Sequence, residues 1–294
     1  GQKRKRTVRF KGRDVAVKDI EDAAFNGVDL ALFAAGDASS KEFAWEAVRR
    51  GALVVDNSDV FAMRPDVPLI IPEVNIKHLK RHKGLIANPS SPTTQMCVAV
   101  RPIYEKLGVK RIVVSSYQSV SSAGADASDE LKKQTKALVS NRKYAPKVFP
   151  KQISFNCIPQ TGPFRPDGNT TDEARIIEET RKIFSNPSLP ISVSCVRVPV
   201  FNSDCQSINL ELKKRTSVDT VRKQLSKQPG VTLLDDEDPA ENDEKRRTYP
   251  TPVETTGEDG VFVGRIRKDA SVESGMNLWV VADNLRKGSA LNAI

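Results

Sequence analysis

Gly84-Leu85-Ile86-Ala87-Asn88-Pro89-Ser90-Ser91-Pro92-Thr93-Thr94-Gln95-Met96 is the stretch that decides the fold, because it joins a short apolar strand to the start of a helix. The run Leu85–Ala87 predicts a buried strand. Pro92 suits the first turn of a helix, and Ser91 before it is typical of an N-cap. A strand that feeds directly into a helix predicts an α/β arrangement around this junction.

The upstream part of the chain repeats this alternation of strands and helices. The first helix has Ser39 or Ser40 as its N-cap and Gly51 as its stop signal. Such alternation predicts a parallel sheet with helices on its faces. Strands are predicted at 30–33, 53–55, 69–71 and 85–87, helices at 39–50 and 76–82, and a short hairpin at 8–10 and 15–17.

The pattern after residue 91 is more mixed and predicts an α+β domain. The charged run 235–247 contains Pro239 and lacks an apolar period, so a surface loop is expected there. The predicted fold class is therefore α/β plus α+β. Helices are predicted at 93–107, 128–138 and 171–184, and strands at 111–116, 191–200, 206–212 and 261–268.

Composition predicts a globular protein. The 294 residues are 38% hydrophobic, which is enough to build a substantial core. There is no apolar run long enough for a membrane span, and the first residues lack the apolar stretch of a signal peptide. The four cysteines have no paired or CxxC spacing, so neither a structural metal site nor a disulfide framework is expected.

The net charge of +9 favours acidic partners, including nucleic acid, through a sequence-independent attraction to phosphates. Basic residues cluster at 3–6, 78–83 and 244–247, all on polar segments. The clusters are interpreted first as solvated faces or docking surfaces, and RNA contact is the alternative.

Several short motifs follow in an order that carries a family resemblance. They are Leu30-Ala31-Leu32-Phe33-Ala34-Ala35-Gly36, the Asn88-Pro89 junction, Ser116-Tyr117-Gln118-Ser119, Arg197-Val198-Pro199-Val200 and Asp283-Asn284-Leu285-Arg286-Lys287-Gly288-Ser289-Ala290-Leu291-Asn292. With these motifs the chain resembles the aspartate-semialdehyde dehydrogenases over essentially its whole length. The resemblance implies an incomplete Rossmann-type nucleotide domain in residues 1–90, joined by 285–294, and an α+β dehydrogenase dimerisation and catalytic-type domain in residues 91–284.

The family reaction is the reversible, NADPH-dependent reductive dephosphorylation of an aspartyl phosphate. The resemblance places the family's nucleophilic cysteine at Ser91, and its histidine base, seven residues after Arg197, at Asp204. The only histidines are His78 and His82, so the second half of the chain has none. A serine hydroxyl needs a paired base, and an aspartate with its reference pKa near 4 is a weak one. Ser91 is therefore interpreted as an N-cap and Asp204 as a solvated or salt-bridged loop residue.

The resemblance also implies a substrate site, predicted to be vestigial. Gln118 and Arg197 match it, and Arg197 would hold the substrate α-carboxylate unless an internal carboxylate fixes it. Asp172 and Arg175 stand for a glutamate and a lysine of the family. Its phosphate-binding arginine falls on Ala62, while Arg64 lies two residues on. Cys205 is an alternative, relocated nucleophile.

A glycine-rich fingerprint for the dinucleotide is missing, since G-x-G-x-x-G does not occur in the sequence. No cofactor is therefore expected, or NADP if the motif lies outside the 294 residues. Gly36 and Asn292 are the positions that would contact it.

Loss of the family's cysteine, histidine and arginine leads to one main expectation. The chain is predicted to be a catalytically inactive homologue that serves as a structural or interaction subunit of a larger assembly, or pairs as a homodimer. Three alternatives stay open: an active or altered NADP-dependent dehydrogenase of amino-acid biosynthesis, a ligand sensor without turnover, and a basic RNA-associated subunit. A plastid or mitochondrial location is implied by resemblance, with the cytoplasm as the alternative.

Overall fold

A computed structural model describes residues 6–235 and 248–294. The chain starts with an antiparallel hairpin, β1 (Thr7–Phe10) and β2 (Arg13–Ala16), which confirms the predicted one. Two sheets follow, one of three strands and one of six. The predicted surface loop at 235–247 falls, apart from Asp235, outside the described residues.

The smaller sheet is parallel, as predicted. Its strands are β3 (Leu30–Phe33), β4 (Leu53–Asp56) and β5 (Leu85–Ala87), in that order across the sheet. Helix α1 (Asp37–Arg49) makes the crossover from β3 to β4. Its N-cap is Gly36 rather than a serine, and the predicted start two residues later is therefore wrong. The carboxyl ends of all three strands meet at one edge of the sheet, where α/β proteins bind ligands.

The predicted strand at 69–71 is reduced to a single bridge between Leu69 and Ala87. The side chain of Asn75 explains this, because its amide accepts from Ile71 N at 2.8 Å and donates to Leu69 O at 2.8 Å. These bonds occupy backbone groups that a strand would offer to a neighbour. The chain between β4 and β5 instead forms α2 (Asp59–Ala62), α3 (Pro72–Asn75) and a 3-10 turn (Ile76–Arg81).

Helix α4 (Ser91–Leu107) connects the two sheets. It is buried along most of its length, including the polar residues Thr93, Thr94 and Gln95 near its start. Buried apolar side chains from both sheets join α4 in one continuous hydrophobic cluster. The start of α4 is therefore fixed from both sides, which matters because the candidate site lies there.

The larger sheet is mixed, with strand order β7-β6-β8-β11-β10-β9. Strand β11 has alternating buried residues and was not predicted from the sequence. Helices cover one face, and the other face exposes or half-buries polar residues such as Ser115, Ser194 and Ser207. The strands are β6 (Val109–Gln118), β7 (Ile191–Arg197), β8 (Asp204–Leu212), β9 (Val231–Leu233), β10 (Val261–Asp269) and β11 (Gly275–Ala282).

Helix α6 is the element of this part that matters most for the site. It spans Thr171–Ile183 and begins with a capping box, in which Thr170 and Glu173 satisfy each other's backbone N–H groups. Among the described residues no helix is long and apolar enough to cross a membrane. The remaining helices are α5 (Ala125–Val139), α7 (Val218–Leu225), α8 (Pro252–Thr255) and α9 (Leu291–Ala293), with a π-helical turn at Arg286–Ala290.

Candidate functional site

A polar pocket of about 350 Å³ lies at the start of α4. It is bounded by the carboxyl ends of β4 and β5, by the ends of β6 and β7 in the larger sheet, and by the first turns of α6. Most of the predicted site residues line it, together with several that were not predicted. Among its lining residues are Asn57, Asn88, Ser90, Ser91, Gln118, Ser122, Asp172, Arg175, Arg197, Asn284 and Gly288.

Ser91 is the first residue of α4, not its N-cap, so that interpretation is wrong. Ser90 precedes the helix, and its backbone N–H and its hydroxyl both donate to the carboxylate of Glu179. This leaves the Ser91 hydroxyl at the pocket wall, where Oγ accepts from Gln95 Nε2 at 3.0 Å. The side chain of Ser91 is half-buried and adjoins the space a ligand would fill.

Gly288 lies directly against Ser91. A Cβ atom at position 288 would overlap with Ser91 Oγ and approach its backbone, so only glycine permits this contact. The segment before α9 can therefore press on the start of α4 while leaving the Ser91 hydroxyl in place.

Asp204 is fully buried at the start of β8, so its interpretation as a solvated loop residue is wrong. Its Oδ1 accepts from the backbone N–H of Ser119 at 2.8 Å and from the Ser119 hydroxyl at 2.9 Å. Oδ2 has no well-formed hydrogen bond, although the Ser91 hydroxyl is near enough to help lower the pKa of the carboxyl. Burial outweighs these contacts and raises the pKa of Asp204 to about 6.

Arg197, at the end of β7, is almost fully buried. Its Nη1 donates to the carbonyl of Ser119 at 2.7 Å and to the hydroxyl of Ser122. Burial lowers its pKa, while Asp204 and Asp172 act in the opposite direction. Arg197 forms no ion pair with another described residue. Part of its guanidinium faces the pocket.

Asp172 and Arg175 are both in the first two turns of α6, and the structure brings them to the same pocket. Arg175 pairs through Nη1 with Asp59 and through Nε with Glu179 at 2.9 Å. Burial raises the pKa of Asp172, and Arg175 and Arg197 oppose that shift.

Glu179 was not identified from the sequence. Its carboxylate is fully buried and joins Arg175 to Ser90, so it ties α6 to the residue before α4. The sequence feature that could have identified Glu179 is its position on the apolar face of α6, between the buried Ile176 and Ile183.

Gln118 and Asn284 complete the polar wall. Gln118 is buried at the end of β6, and its Nε2 contacts Cys195 Sγ at 3.5 Å. Asn284, which was not predicted, accepts from Ser203 N at 3.0 Å and exchanges hydrogen bonds with Ser121. It therefore fixes the loops that carry both Ser119 and Asp204.

Gly36 and Asn57 follow the carboxyl ends of β3 and β4, and Asn57 lines the pocket. Gly36 has φ of 89° and open space where a Cβ would be, which suits close approach of a ligand to the backbone. Asn57 Oδ1 is buried without a hydrogen-bond partner and can accept from an amide group. Asn292 donates to Ile70 O and to Asn88 Oδ1, so its side chain positions Asn88, and its cofactor contact stays a prediction.

Three other predicted residues lie away from the reacting groups. Ala62 is buried, and Arg64 pairs with Asp66 at the surface. Cys205 follows Asp204 on β8, and strand alternation directs it to the opposite face. Burial raises the pKa of Cys205 to about 12, so its thiol is a poor nucleophile. Within the described ranges, no three His, Cys, Asp or Glu side chains are grouped to hold a metal ion.

Comparison with known proteins follows the same division of the chain. A family model described as "Semialdehyde dehydrogenase, NAD binding domain" matches residues 1–82, and one described as "Semialdehyde dehydrogenase, dimerisation domain" matches residues 100–287. The aspartate-semialdehyde dehydrogenase of Aquifex aeolicus is 47% identical over 290 residues, covering 97% of this chain and 83% of that protein. This chain belongs to the aspartate-semialdehyde dehydrogenase family.

Other members of the aspartate-semialdehyde dehydrogenase family are also similar to this chain over nearly its whole length. The protein named so in Bacillus subtilis is 41% identical and covers 98% of this chain and 83% of its own length. The crystal structure of aspartate semialdehyde dehydrogenase II from Vibrio cholerae has a TM-score of 0.92 at 40% identity, covering 98% of this chain and 84% of that one. The predicted fold class is confirmed; the domain boundary at residue 90 stays a prediction.

These relatives overturn the expectation of a catalytically inactive subunit, because proteins 41% to 47% identical over nearly the entire chain are named as the dehydrogenase. The error has a physical origin. Asp204 was treated as a solvated group of ordinary acidity, whereas it is a buried carboxyl beside Ser91. The expectation that no cofactor binds is not supported, since residues 1–82 match the family's NAD binding domain.

Proposed function

We propose that this chain catalyses the aspartate-semialdehyde dehydrogenase reaction, the reversible conversion of the semialdehyde and phosphate to aspartyl phosphate, with NADP as the cofactor. The Ser91 hydroxyl would take the place of the family's cysteine, and Asp204 that of its histidine. The observation that carries the proposal is that Ser91 and Arg197 line one pocket, with the carboxyl of Asp204 buried beside Ser91. A Vibrio cholerae relative of the same fold has been crystallised in complex with ASA.

Substrate recognition follows from charge. A guanidinium held by a carbonyl and a hydroxyl, without an ion pair of its own, suits the α-carboxylate of the substrate, so Arg197 takes that role. Asp172 lies at the same pocket and offers a carboxylate to the α-ammonium group. Arg175 uses Nε and Nη1 within the protein, which leaves Nη2 for the phosphate.

The chemistry requires a base for Ser91. A hydroxyl does not ionise near neutrality, so its proton must leave as it attacks the carbonyl carbon. Asp204 receives that proton, and its raised pKa makes it a stronger base than an ordinary aspartate. Addition gives a hemiacetal of Ser91, and loss of hydride from it, which bound NADP would accept, would leave an ester of Ser91. Phosphate then attacks this ester, and the Ser91 oxygen regains its proton from Asp204.

The residues at the carboxyl ends of β3 and β4 fit the nicotinamide end of the cofactor. The unpartnered Asn57 Oδ1 would accept from its carboxamide, and the open side of Gly36 would let the ring or ribose approach the backbone. When bound, the nicotinamide supplies the hydride acceptor of the oxidation. Gly288 keeps the space in front of Ser91 free for that approach.

We also infer that the chain forms a homodimer through its dimerisation domain. The sheet face opposite α4 supports this, because it carries half-buried aromatic residues, Tyr117 and Trp279, with their ring centroids 5.9 Å apart. Small polar residues surround them and suit a flat, self-complementary surface.

An absorbance assay tests the proposed activity. Purified protein given aspartate semialdehyde, phosphate and NADP should form NADPH. Ser91→Ala should lower kcat by about 1,000-fold or more, because it removes the nucleophile. Ser226→Ala, at an exposed serine after α7, is the matched control and should behave as the unaltered protein.

A second variant at the same position should increase the rate rather than lower it. Ser91→Cys should raise the rate, since a thiol near a helix N-terminus ionises more readily than a hydroxyl. NADPH formation that is absent from the folded protein, or unchanged by Ser91→Ala, would contradict the proposal.

A further inference from the structure

We propose that the same site hydrolyses acyl phosphates, releasing a carboxylate and inorganic phosphate without any nicotinamide cofactor. The inference rests on the proposed function, because it uses Ser91 as the acyl acceptor. It concerns what happens to the Ser91 ester when no hydride reaches it.

The hydrogen-bond arrangement directs the Ser91 hydrogen toward Asp204. Gln95 Nε2 donates both to the carbonyl of Ala282 at 3.2 Å and to Ser91 Oγ at 3.0 Å. Because a carbonyl can only accept, Ala282 fixes the orientation of the Gln95 amide. Ser91 Oγ is thus an acceptor toward Gln95, and its own hydrogen is left for the neighbouring carboxylate.

Two buried acceptor atoms near Ser91 lack partners. They are Oδ2 of Asp204 and Oε1 of Gln95. Once Ser91 is acylated it has no hydrogen to donate, so Asp204 is released. A water molecule that donates to Asp204 Oδ2 would satisfy that oxygen, which adjoins the Ser91 side chain that carries the ester.

The first half-reaction is acylation. Ser91 Oγ forms a bond to the acyl carbon, the bond from that carbon to the phosphate oxygen breaks, and inorganic phosphate leaves with the electron pair. The proton of Ser91 passes to Asp204 and is then lost to the departing phosphate or to solvent, which restores the carboxylate.

The second half-reaction is hydrolysis. Water adds to the ester carbon as its proton passes to Asp204, the bond from carbon to Ser91 Oγ breaks, and Oγ takes the proton back. Acyl phosphate and water give carboxylate, phosphate and a released proton, with no change in oxidation state.

An oxygen ester favours this outcome for electronic reasons. The oxygen lone pair delocalises into the carbonyl more strongly than a sulfur lone pair does, so an ester accepts hydride less readily than a thioester. Water competes because Ser91 is only half-buried and because Ser122, Gly124 and Leu285 at the pocket mouth are exposed.

Phosphate release from acetyl phosphate and from aspartyl phosphate, measured with no nicotinamide present, tests the inference. The unaltered protein should release many phosphates per site, at least tenfold above the spontaneous rate. Ser91→Ala and Asp204→Asn should fall to that rate, and Ser226→Ala should retain full release. In a second assay, with NADPH added, Ser91→Cys should raise the ratio of NADPH oxidised to phosphate released.

The outcomes separate the two proposals. A single burst of one phosphate per site without further turnover means that the ester forms but is not hydrolysed, which overturns this inference and leaves the dehydrogenase intact. Sustained phosphate release with no NADPH oxidation supports hydrolysis and overturns the dehydrogenase. No release above the spontaneous rate, with NADPH oxidation present, overturns hydrolysis alone.

Discussion

Asp204 shows how one buried residue sets the chemistry of this site. Its carboxylate receives two hydrogen bonds from Ser119 on one oxygen and faces the nucleophile with the other. Complete satisfaction of both oxygens would stabilise the charged form and weaken it as a base. The single unpartnered oxygen, together with burial, keeps the pKa high enough for proton transfer near neutrality.

Asp204→Asn provides a prediction in pH. In the unaltered protein kcat/KM should rise as pH increases through about 6, because the basic form is the charged carboxylate. Asn should lose at least about 100-fold in kcat and should show no such step. A kcat/KM profile that is flat from pH 5 to 8 in the unaltered protein, within a range where it stays folded, would contradict the assigned base.

Asp204 should also make stability depend on pH. Stability should fall as pH rises, whereas kcat/KM rises. The folded pKa of Asp204 lies above the unfolded value near 4, so the folded state binds a proton more tightly between about pH 4 and 6. The free energy of unfolding should therefore fall by about 2 to 3 kcal/mol as pH rises across that window. Urea unfolding of Asp204→Asn should lack this fall, whereas Asp129→Asn, at an exposed ion pair, should retain it.

At the scale of elements, local periodicity predicted most of the helices and strands. The parallel sheet, α4 and α6 were all recognisable, because their apolar spacing reflects burial on one face. Residues 69–71 have the composition of a strand, yet the Asn75 side chain takes their backbone partners, and such a competition is invisible to periodicity. Burial along β11 alternates only from Met276 to Val280 and is continuous over Val280–Ala282, so its period-2 signal is short.

The site was predictable in its members but not in its geometry. Gln118, Arg197, Asp172, Arg175 and Ser91 were all named from the sequence, and the structure gathers them at one pocket. Their environments depend on residues that are distant in the chain. Alternation along β8, in which Gln206 and Ile208 face inward, could have placed Asp204 inside as well.

At the scale of the whole molecule, α4 and the surrounding apolar cluster make one rigid unit of the two sheets. The pocket lies where those parts meet, with Asn57 and Asn88 on one side and Gln118 and Arg197 on the other. The geometry of the pocket is thus set by packing between the sheets.

The homodimer should be visible by light scattering during gel filtration, as a mass twice that of one chain. Ser207→Arg places a charge at the centre of the sheet face opposite α4, where Ser207 pairs with Ser115 and Trp279, and should shift the mass toward one chain. Lys223→Glu, at an exposed position of α7, is a control that should leave the dimer intact. A monomer mass for the unaltered protein would contradict the assignment of this face.

Acylation of Ser91 is the central claim, and mass spectrometry tests it most directly. The protein is mixed with aspartyl phosphate in the absence of nicotinamide, quenched in acid within milliseconds to seconds, and digested. An acyl group should be found on the peptide that contains Ser91 and be absent from Ser91→Ala, with Ser91→Cys acylated as the positive control. An acyl group on Ser91→Cys but none on the unaltered protein, or one attached only at another residue, would contradict the account.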